Sequence, residues 1–134
     1  MGSQQVLLFG VGVVLVVTAV FVGIDYFVSQ SIESNRDAVI IDLNAIANQA
    51  QQYYSKPVET GGGGRNFTGF QVASGYASNL NGTYTIVSTT VNRIVFEGVG
   101  TEYSDTQVGC SSSSEKLTYQ ISVSPTESTI RKVY

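Results

Sequence analysis

Few residues in this chain could carry out chemistry. The sequence contains no histidine and no tryptophan, and its one cysteine is Cys110. Without histidine, imidazole acid–base catalysis, histidine-assisted nucleophiles and most zinc sites are excluded. A single cysteine cannot form a disulfide within the chain. We therefore interpret Cys110, which lies in a Ser-rich stretch, as a free thiol rather than as an intermolecular bridge or an attachment site.

Other patterns that resemble reactive or ligand-binding motifs have simpler explanations. Gly61–Gly64 is followed by Arg65 and Asn66 rather than by the Lys and Ser or Thr of a phosphate-binding loop, so we predict a turn. Glu97 and Glu102 could act as paired carboxylates on a sugar, but the chain has no tryptophan to form a sugar platform. We predict no enzyme activity, no cofactor and no metal site.

The charge distribution also argues against nucleic acid as a partner. The chain carries 7 basic and 10 acidic residues, for a net charge of -3. The basic residues are dispersed, whereas nucleic-acid binding requires a continuous basic surface. No specific nucleic-acid partner is predicted.

The most distinctive segment is apolar. Val6 to Ile24 is a run of 19 residues without a charge, which matches the hydrocarbon thickness of a bilayer. It lacks the basic n-region, shorter apolar stretch and small-residue cut site of a cleavable signal, so we predict a membrane-spanning helix. Asp25 and Glu33 follow it, and no Lys or Arg precedes Arg36. We expect the C-terminal side to be translocated and a basic leader to have been removed.

The helix is predicted to continue well beyond the membrane. Apolar residues recur at steps of three, four or seven and so share one face; they are Val28, Ile32, Val39, Leu43, Ile46, Ala50 and Tyr53. Polar residues occupy the other face, namely Ser34, Asn35, Asp37, Asn44, Asn48 and Gln51. Lys56-Pro57 should end the helix, which gives bounds of about Ser3 to Tyr54.

The rest of the chain is predicted to form a β-rich head on that helix. Alternating residues indicate strands at Thr83–Thr90, Arg93–Glu97, Lys116–Val123 and Ser128–Tyr134. Gly98-Val99-Gly100 is interpreted as a strand end, and Gly100 to Ser114 as a polar surface loop. We divide the chain into a helix at 1–54, whose apolar half is 1–27, and a head at 55–134. The predicted fold class is α+β, with a long N-terminal helix packed on three or four antiparallel strands.

This arrangement resembles the type IV pilin fold, which pilins share with type II secretion pseudopilins. The resemblance implies that Met1 is the first residue left by a prepilin peptidase, a position that this family methylates. Gln5 stands where pilins usually carry the Glu that pairs with a neighbouring subunit's terminal amine, and Gln supplies no charge. Val22 stands in place of the common helix-breaking proline, and the paired C-terminal cysteines of many pilins are absent.

Small residues within the apolar helix have two compatible interpretations. Gly10, Gly12 and Gly23 each cost about 1 kcal/mol of helix stability relative to Ala, and the resemblance implies that Gly10-Val11-Gly12 could melt during assembly. Ala19 and Gly23 also have the spacing at which small residues let membrane helices approach closely. A filament core is itself a bundle of such helices, so both interpretations point to assembly.

Two sequons offer modification sites. Asn66-Phe67-Thr68 and Asn81-Gly82-Thr83 fit the N-glycosylation acceptor pattern, and Ser111 to Ser114 would suit O-linked sugars on a surface loop.

The resemblance implies a structural protein. We expect a principal subunit of a bacterial type IV pilus-like filament, anchored in the inner membrane and then polymerised with identical subunits outside the cell. A prepilin peptidase and the pilus assembly machinery are the implied partners. Two alternatives stay open: a pseudopilin or minor tip pilin of the same architecture, and a single-pass membrane-anchored receptor that does not polymerise.

Overall fold

The N-terminal part of the chain is one continuous α-helix. In the computed structural model, which describes residues 2–103 and 115–133, helix α1 spans Ser3–Ser55. Its 53 residues give a length of about 80 Å at ~1.5 Å per residue. Lys56 leaves the helical region with φ −79° and ψ 134°, as expected for a residue before proline. The predicted roles of Met1, Cys110 and Ser111–Ser114 lie outside the described residues.

The second half of α1 carries the head. We use this name for the described residues that follow α1. The buried residues of α1 are Val39, Leu43, Ile46, Ala47 and Ala50. This confirms the centre of the predicted apolar face, although Val28 at its start is 41% exposed. Asn35 and Gln51 were predicted on the solvent face, and that prediction is wrong. Both are partly buried and hydrogen bond to the head, because they flank the apolar face closely enough to reach it.

The glycine-rich segment after α1 folds back and satisfies carbonyl groups at the helix end. Following a 3₁₀ turn at Val58–Thr60, the N–H of Gly63 donates to the carbonyl of Tyr53 at 2.7 Å. The N–H groups of Gly64 and Arg65 donate to the carbonyls of Lys56 and Tyr54 at 2.9 and 2.8 Å. Such carbonyls lack helical partners in the last turn. The segment is therefore a hydrogen-bonded cap on α1.

The described residues of the head form a four-stranded antiparallel sheet. A short helix α2 at Ser74–Ala77 precedes strands β1 at Gly82–Thr89, β2 at Ile94–Tyr103, β3 at Lys116–Val123 and β4 at Ser128–Lys132. The spatial order β1-β2-β3-β4 is that of a simple meander. The predicted α+β fold class is confirmed, and the architecture is consistent with a pilin-like fold. Helix α2 was not predicted, because four residues are too few to show a helical period.

Strand β2 extends beyond its predicted end. Gly98 and Gly100 were interpreted as a strand end and the start of a loop, but both lie inside β2. A Cβ atom on Gly98 would be 2.9 Å from the Tyr84 ring and 3.1 Å from Val39 of α1. A Cβ on Gly100 would collide with the Asn35 side chain. Glycine is needed here because the strand passes close to the helix, so it does not mark a strand end.

The core lies between α1 and the inner face of the sheet. Phe67 and Phe96 are fully buried, and Phe70 packs edge-on against Phe96 with ring centroids 5.7 Å apart. Tyr53 of α1 packs edge-on against Phe70 and Tyr54 packs at a tilt on Phe67, with ring centroids 5.6 and 4.6 Å apart. These contacts tie the last turns of α1 to the loop before the sheet, so aromatic packing fixes the end of the head that is farthest from the N-terminus.

We predict that Gly63→Ala destabilises the head. The new Cβ would collide with the carbonyl of Asn66 and lie 2.6 Å from the Tyr53 ring. Overpacking of this kind costs about 1–3 kcal/mol. Thermal unfolding of the full-length protein in detergent measures the loss. Gly75→Ala is the matched control, because its Cβ meets no atom of the described chain within 4 Å. Equal melting temperatures for the two variants would contradict this packing.

Candidate functional site

The first half of α1 presents a large apolar surface to its surroundings. From Val6 to Val28, 17 large apolar side chains are 41–79% exposed. The most apolar window of 18 residues in α1 contains no buried residue in the part of the chain that the structure describes. The helix is long and apolar enough to cross a membrane. This surface has no cover within the described head, so it requires lipid or other protein around it.

Most of the predicted assembly residues share one face of this apolar half. Gln5, Gly12 and Ala19 recur every seven residues and Gly23 follows four later, so all four lie on the same side of α1. Counted at about 100° per residue, this side is opposite to the one that bears the head. Gly10 falls on the head's side of the helix. The fold therefore groups Gln5, Gly12, Ala19 and Gly23 and separates them from Gly10.

Gly12 leaves a shallow groove on that face. The groove is lined by apolar side chains and one amide, namely Gln5, Leu8, Phe9, Gly12, Val13, Val16 and Val17. A Cβ atom added to Gly10, Gly12 or Gly23 would meet no atom of the described chain within 4 Å. The fold of a single chain therefore does not require glycine at these three positions.

A polar cluster of Asp42, Asn79, Asn81 and Tyr84, the Asp42 cluster, joins α1 to the start of β1. Oδ2 of Asp42 accepts hydrogen bonds from Nδ2 of Asn79 at 2.8 Å, Nδ2 of Asn81 at 2.9 Å and the hydroxyl of Tyr84 at 2.7 Å. Oδ1 of Asn79 accepts the backbone N–H groups of Asn81 and Gly82. One carboxylate on the helix thus fixes the turn that begins the sheet.

The surroundings of the Asp42 cluster stabilise its charged form. Burial raises the pKa of Asp42, but hydrogen bonds from Asn81, Asn79 and Tyr84 outweigh it and hold that pKa below its usual value. Burial, together with the hydrogen bond to the Asp42 carboxylate and its charge, raises the pKa of Tyr84. The cluster is therefore a carboxylate held ionised by neutral donors. It is not a proton-transfer pair, because both shifts keep Asp42 charged and Tyr84 neutral at neutral pH.

Asn35 forms a second attachment, nearer the apolar half. Its Nδ2 donates to the carbonyl of Asn81 at 2.8 Å, and its Oδ1 accepts the N–H groups of Thr101 and Glu102 at 3.1 and 3.2 Å. The pairing of β2 with β3 is irregular between Val99 and Tyr103. Asn35 thus supplies an acceptor where the regular β2–β3 pairing is interrupted, and it binds the residue before β1 and the end of β2 at once.

The two sequons lie in different environments. Nδ2 of Asn81 donates to Asp42, and Gly82 is buried at the start of β1. Asn66 is partly exposed, with its Oδ1 accepting the N–H of Thr68 at 2.8 Å, and no bond from its Nδ2 occurs among the described residues. A sugar on Asn81 would replace one of the two hydrogens on the nitrogen that donates to Asp42. Of the two predicted sites, Asn66 fits the folded head better.

The Asp42 cluster was not found from the sequence. Its residues are about 40 positions apart, and each polar residue has an ordinary local role in a helix, turn or strand. The available signal was the Asn79-Leu80-Asn81 turn together with a lone Asp beside the apolar face of α1. Within the described ranges, no group of three or more Cys, Asp and Glu side chains is placed to hold a metal ion.

Comparisons with known proteins give no further guide. No family model, curated protein or solved structure matches this chain.

We predict that Asp42→Asn lowers stability in a pH-dependent way. At neutral pH it should cost about 1.5–3 kcal/mol, the range for hydrogen bonds to a charged group, and nearer the lower end because Asp42 is only partly buried. Because the folded pKa of Asp42 is lowered, its contribution is present above the unfolded pKa of about 3.9 and is lost as pH falls through the folded pKa.

Thermal unfolding of the full-length chain in detergent, measured across pH, checks this prediction. The gap between wild type and Asp42→Asn should narrow in acid. Asp37→Asn is the control, since Asp37 is exposed and contacts only the neighbouring Arg36 within the described residues. A gap that is the same at pH 7 and in acid would show that the charge of Asp42 is not what matters.

Proposed function

We propose that this protein is a structural subunit that polymerises through the apolar half of α1 into a type IV pilus-like filament. The observation that carries the proposal is the exposed apolar segment, which continues without a break into the half of α1 that holds the head. A segment used only as an anchor needs no rigid link to the head. A polymer whose core is made of helices and whose outside is made of heads does need one.

The energetics favour a complete covering for the apolar half. Burying a large apolar side chain is worth about 1.5–3 kcal/mol, and 17 such side chains are exposed from Val6 to Val28. Together they represent tens of kcal/mol, several times the stability of a typical domain, which is about 5–15 kcal/mol. Lipid can supply this cover before assembly, and copies of the same helix can supply it afterwards.

The position of the head supports a particular packing of neighbouring helices. The face with Gln5, Gly12, Ala19 and Gly23 points away from the head. The helix of a second subunit can therefore approach this face without meeting the head of the first subunit. Small residues permit close approach of helix backbones. In the proposed filament this face looks inward and the sheet looks outward. Gln5 would accept a hydrogen bond from a neighbour's terminal amine without forming an ion pair.

The proposed location changes during the life of the subunit. The apolar half would anchor it in the inner membrane, and the assembled homopolymer would lie outside the cell on its surface. Processing by a prepilin peptidase and handling by a pilus assembly machinery follow from the resemblance to pilins.

Two other roles use the same features. A pseudopilin or minor pilin would have this architecture and form only a short or capped assembly. A single-pass membrane receptor would satisfy the apolar half with lipid alone, and Gln5 in place of the usual Glu favours this alternative. In that case the head would have to supply a binding function.

Electron microscopy of material sheared from cells tests the proposal. We expect thin filaments whose main component, identified by mass spectrometry, is this chain beginning at Met1. Retention of the chain in the membrane fraction, with a basic leader still attached, would contradict polymerisation and favour the receptor.

We predict that Gly12→Leu or Gly23→Leu reduces filament yield. Either variant places a bulky side chain on the face proposed to meet a neighbouring helix, while the isolated chain has room for it. Gly75→Leu is the matched control, because it makes the same change at an open position in the head. The amount of sheared filament relative to the cellular amount of the protein is the measurement. Normal yield from both apolar-half variants would rule out close packing on this face.

A further inference from the structure

The head begins very close to the end of the apolar segment. Asp25 is the first charged residue after the apolar run. The hydroxyl of Ser31 donates to Oε1 of Glu102 at 3.2 Å, and Asn35 binds the backbone of Thr101 and Glu102. Ser31 follows Asp25 by six positions along the helix, a rise of about 9 Å at ~1.5 Å per residue. If Asp25 lies at the membrane edge, the head starts within the thickness of the headgroup layer.

Strand β2 runs toward the apolar half of α1. Near its start, Asn92 contacts Tyr54 at the far end of α1. Gly98 then passes Val39, and Glu102 reaches Ser31. The strand is thus antiparallel to the helix, and its last residue, Tyr103, lies at the level of Ser31 or below. Tyr103 is 47% exposed and pairs in register with Lys116, the exposed first residue of β3. We call Tyr103 and Lys116 the lower rim of the head.

The lower rim has the chemistry of a membrane–water interface. A tyrosine ring has an apolar body and a polar tip, and tyrosines are enriched where hydrocarbon meets headgroups. A lysine beside it offers an ammonium group to lipid phosphate. Tyr26 and Phe27, which are 66% and 79% exposed, lie on α1 near the predicted membrane edge. At about 100° of rotation per residue, both side chains point away from the side of α1 that bears the head.

We propose that, in the unassembled subunit, the lower rim docks on the headgroup layer of the bilayer that holds the apolar half. Tyr26 and Phe27 enter the same layer on one side of α1, and Tyr103 and Lys116 enter it on the other. The partner is the phosphate-bearing surface of a phospholipid bilayer. The inference rests on the membrane-anchored stage of the proposed function and does not require polymerisation.

The acidic groups near the rim limit which lipids suit it. The carboxylate of Glu102 already accepts a hydrogen bond from Ser31, while Glu115 is exposed next to Lys116. Asp25 and Glu33 add negative charge on the helix. The acidic groups outnumber Lys116, so a strongly anionic surface would repel the rim as a whole. Zwitterionic headgroups suit it better, because Lys116 can bind their phosphate groups without this repulsion.

The absence of tryptophan from the chain makes a direct test possible. The full-length Tyr103→Trp protein in phosphatidylcholine vesicles would carry one tryptophan at the rim. We expect its fluorescence to be quenched by lipids brominated near the headgroup and to be shielded from aqueous acrylamide. Val91→Trp is the control in the upper head, where Val91 is 52% exposed, and Val14→Trp is the control inside the bilayer, where Val14 is 65% exposed.

The outcomes separate the docking from the other proposals. Lipid quenching of Tyr103→Trp well above that of Val91→Trp, unchanged on dilution with lipid, supports docking. Acrylamide access equal to that of Val91→Trp, with Val14→Trp still quenched by lipid, overturns docking and leaves anchoring intact. Protection of Tyr103→Trp that disappears on dilution overturns it as well, because a second copy would then cover the rim. Failure of Val14→Trp to respond to lipid overturns both docking and anchoring, whatever the yield of filaments.

A charge change tests the role of Lys116. Lys116→Glu in the Tyr103→Trp background should weaken lipid quenching several-fold and raise acrylamide access. Lys132→Glu is the control, because Lys132 pairs with Tyr119 higher on the sheet. Equal quenching in the two variants would show that lipid phosphate does not bind Lys116.

Discussion

The apolar half of α1 is not covered by the described head, and the position of every other element follows from how it is covered. Seventeen large apolar side chains between Val6 and Val28 are exposed, and water is an unfavourable surrounding for all of them. The same helix continues to Ser55 and supplies one layer of the head's core. Whatever covers the apolar half therefore also sets the position of the head, because one rigid element belongs to both.

The head is held on α1 by apolar packing in the middle and by polar contacts at its margin. Val39, Leu43 and Ile46 fill the interface, but apolar contacts alone tolerate sliding and rotation. The Asp42 cluster and Asn35 add directional bonds from the helix to the start of β1 and the end of β2. These bonds fix which side of α1 carries the sheet. They thereby determine that the face with Gly12 and Ala19 points away from the head.

Local sequence patterns predicted the main elements, and contacts between distant residues account for what they missed. The apolar run, the Lys56-Pro57 stop and the alternation of Leu117, Tyr119 and Ile121 gave α1 and β3 their observed extents within a residue or so. The end of β2 was predicted too early because Gly98 and Gly100 were interpreted as a strand end. These glycines leave space for Val39, Tyr84 and Asn35, which come from other parts of the chain. The Asp42 cluster was missed for the same reason. The face containing Gln5, Gly12, Ala19 and Gly23 could be predicted from spacing, whereas its position opposite the head required the structure.

In the proposed filament, copies of this chain cover one another's apolar halves while the heads stay outside. Electron cryomicroscopy of the sheared filaments, with a helical reconstruction that resolves side chains, would show this arrangement. We expect a bundle of α1 helices at the filament axis, with the Gly12 and Ala19 face turned toward neighbouring helices and the β-sheet on the outer surface. A filament joined through its heads, with the apolar halves surrounded by lipid or turned outward, would contradict it.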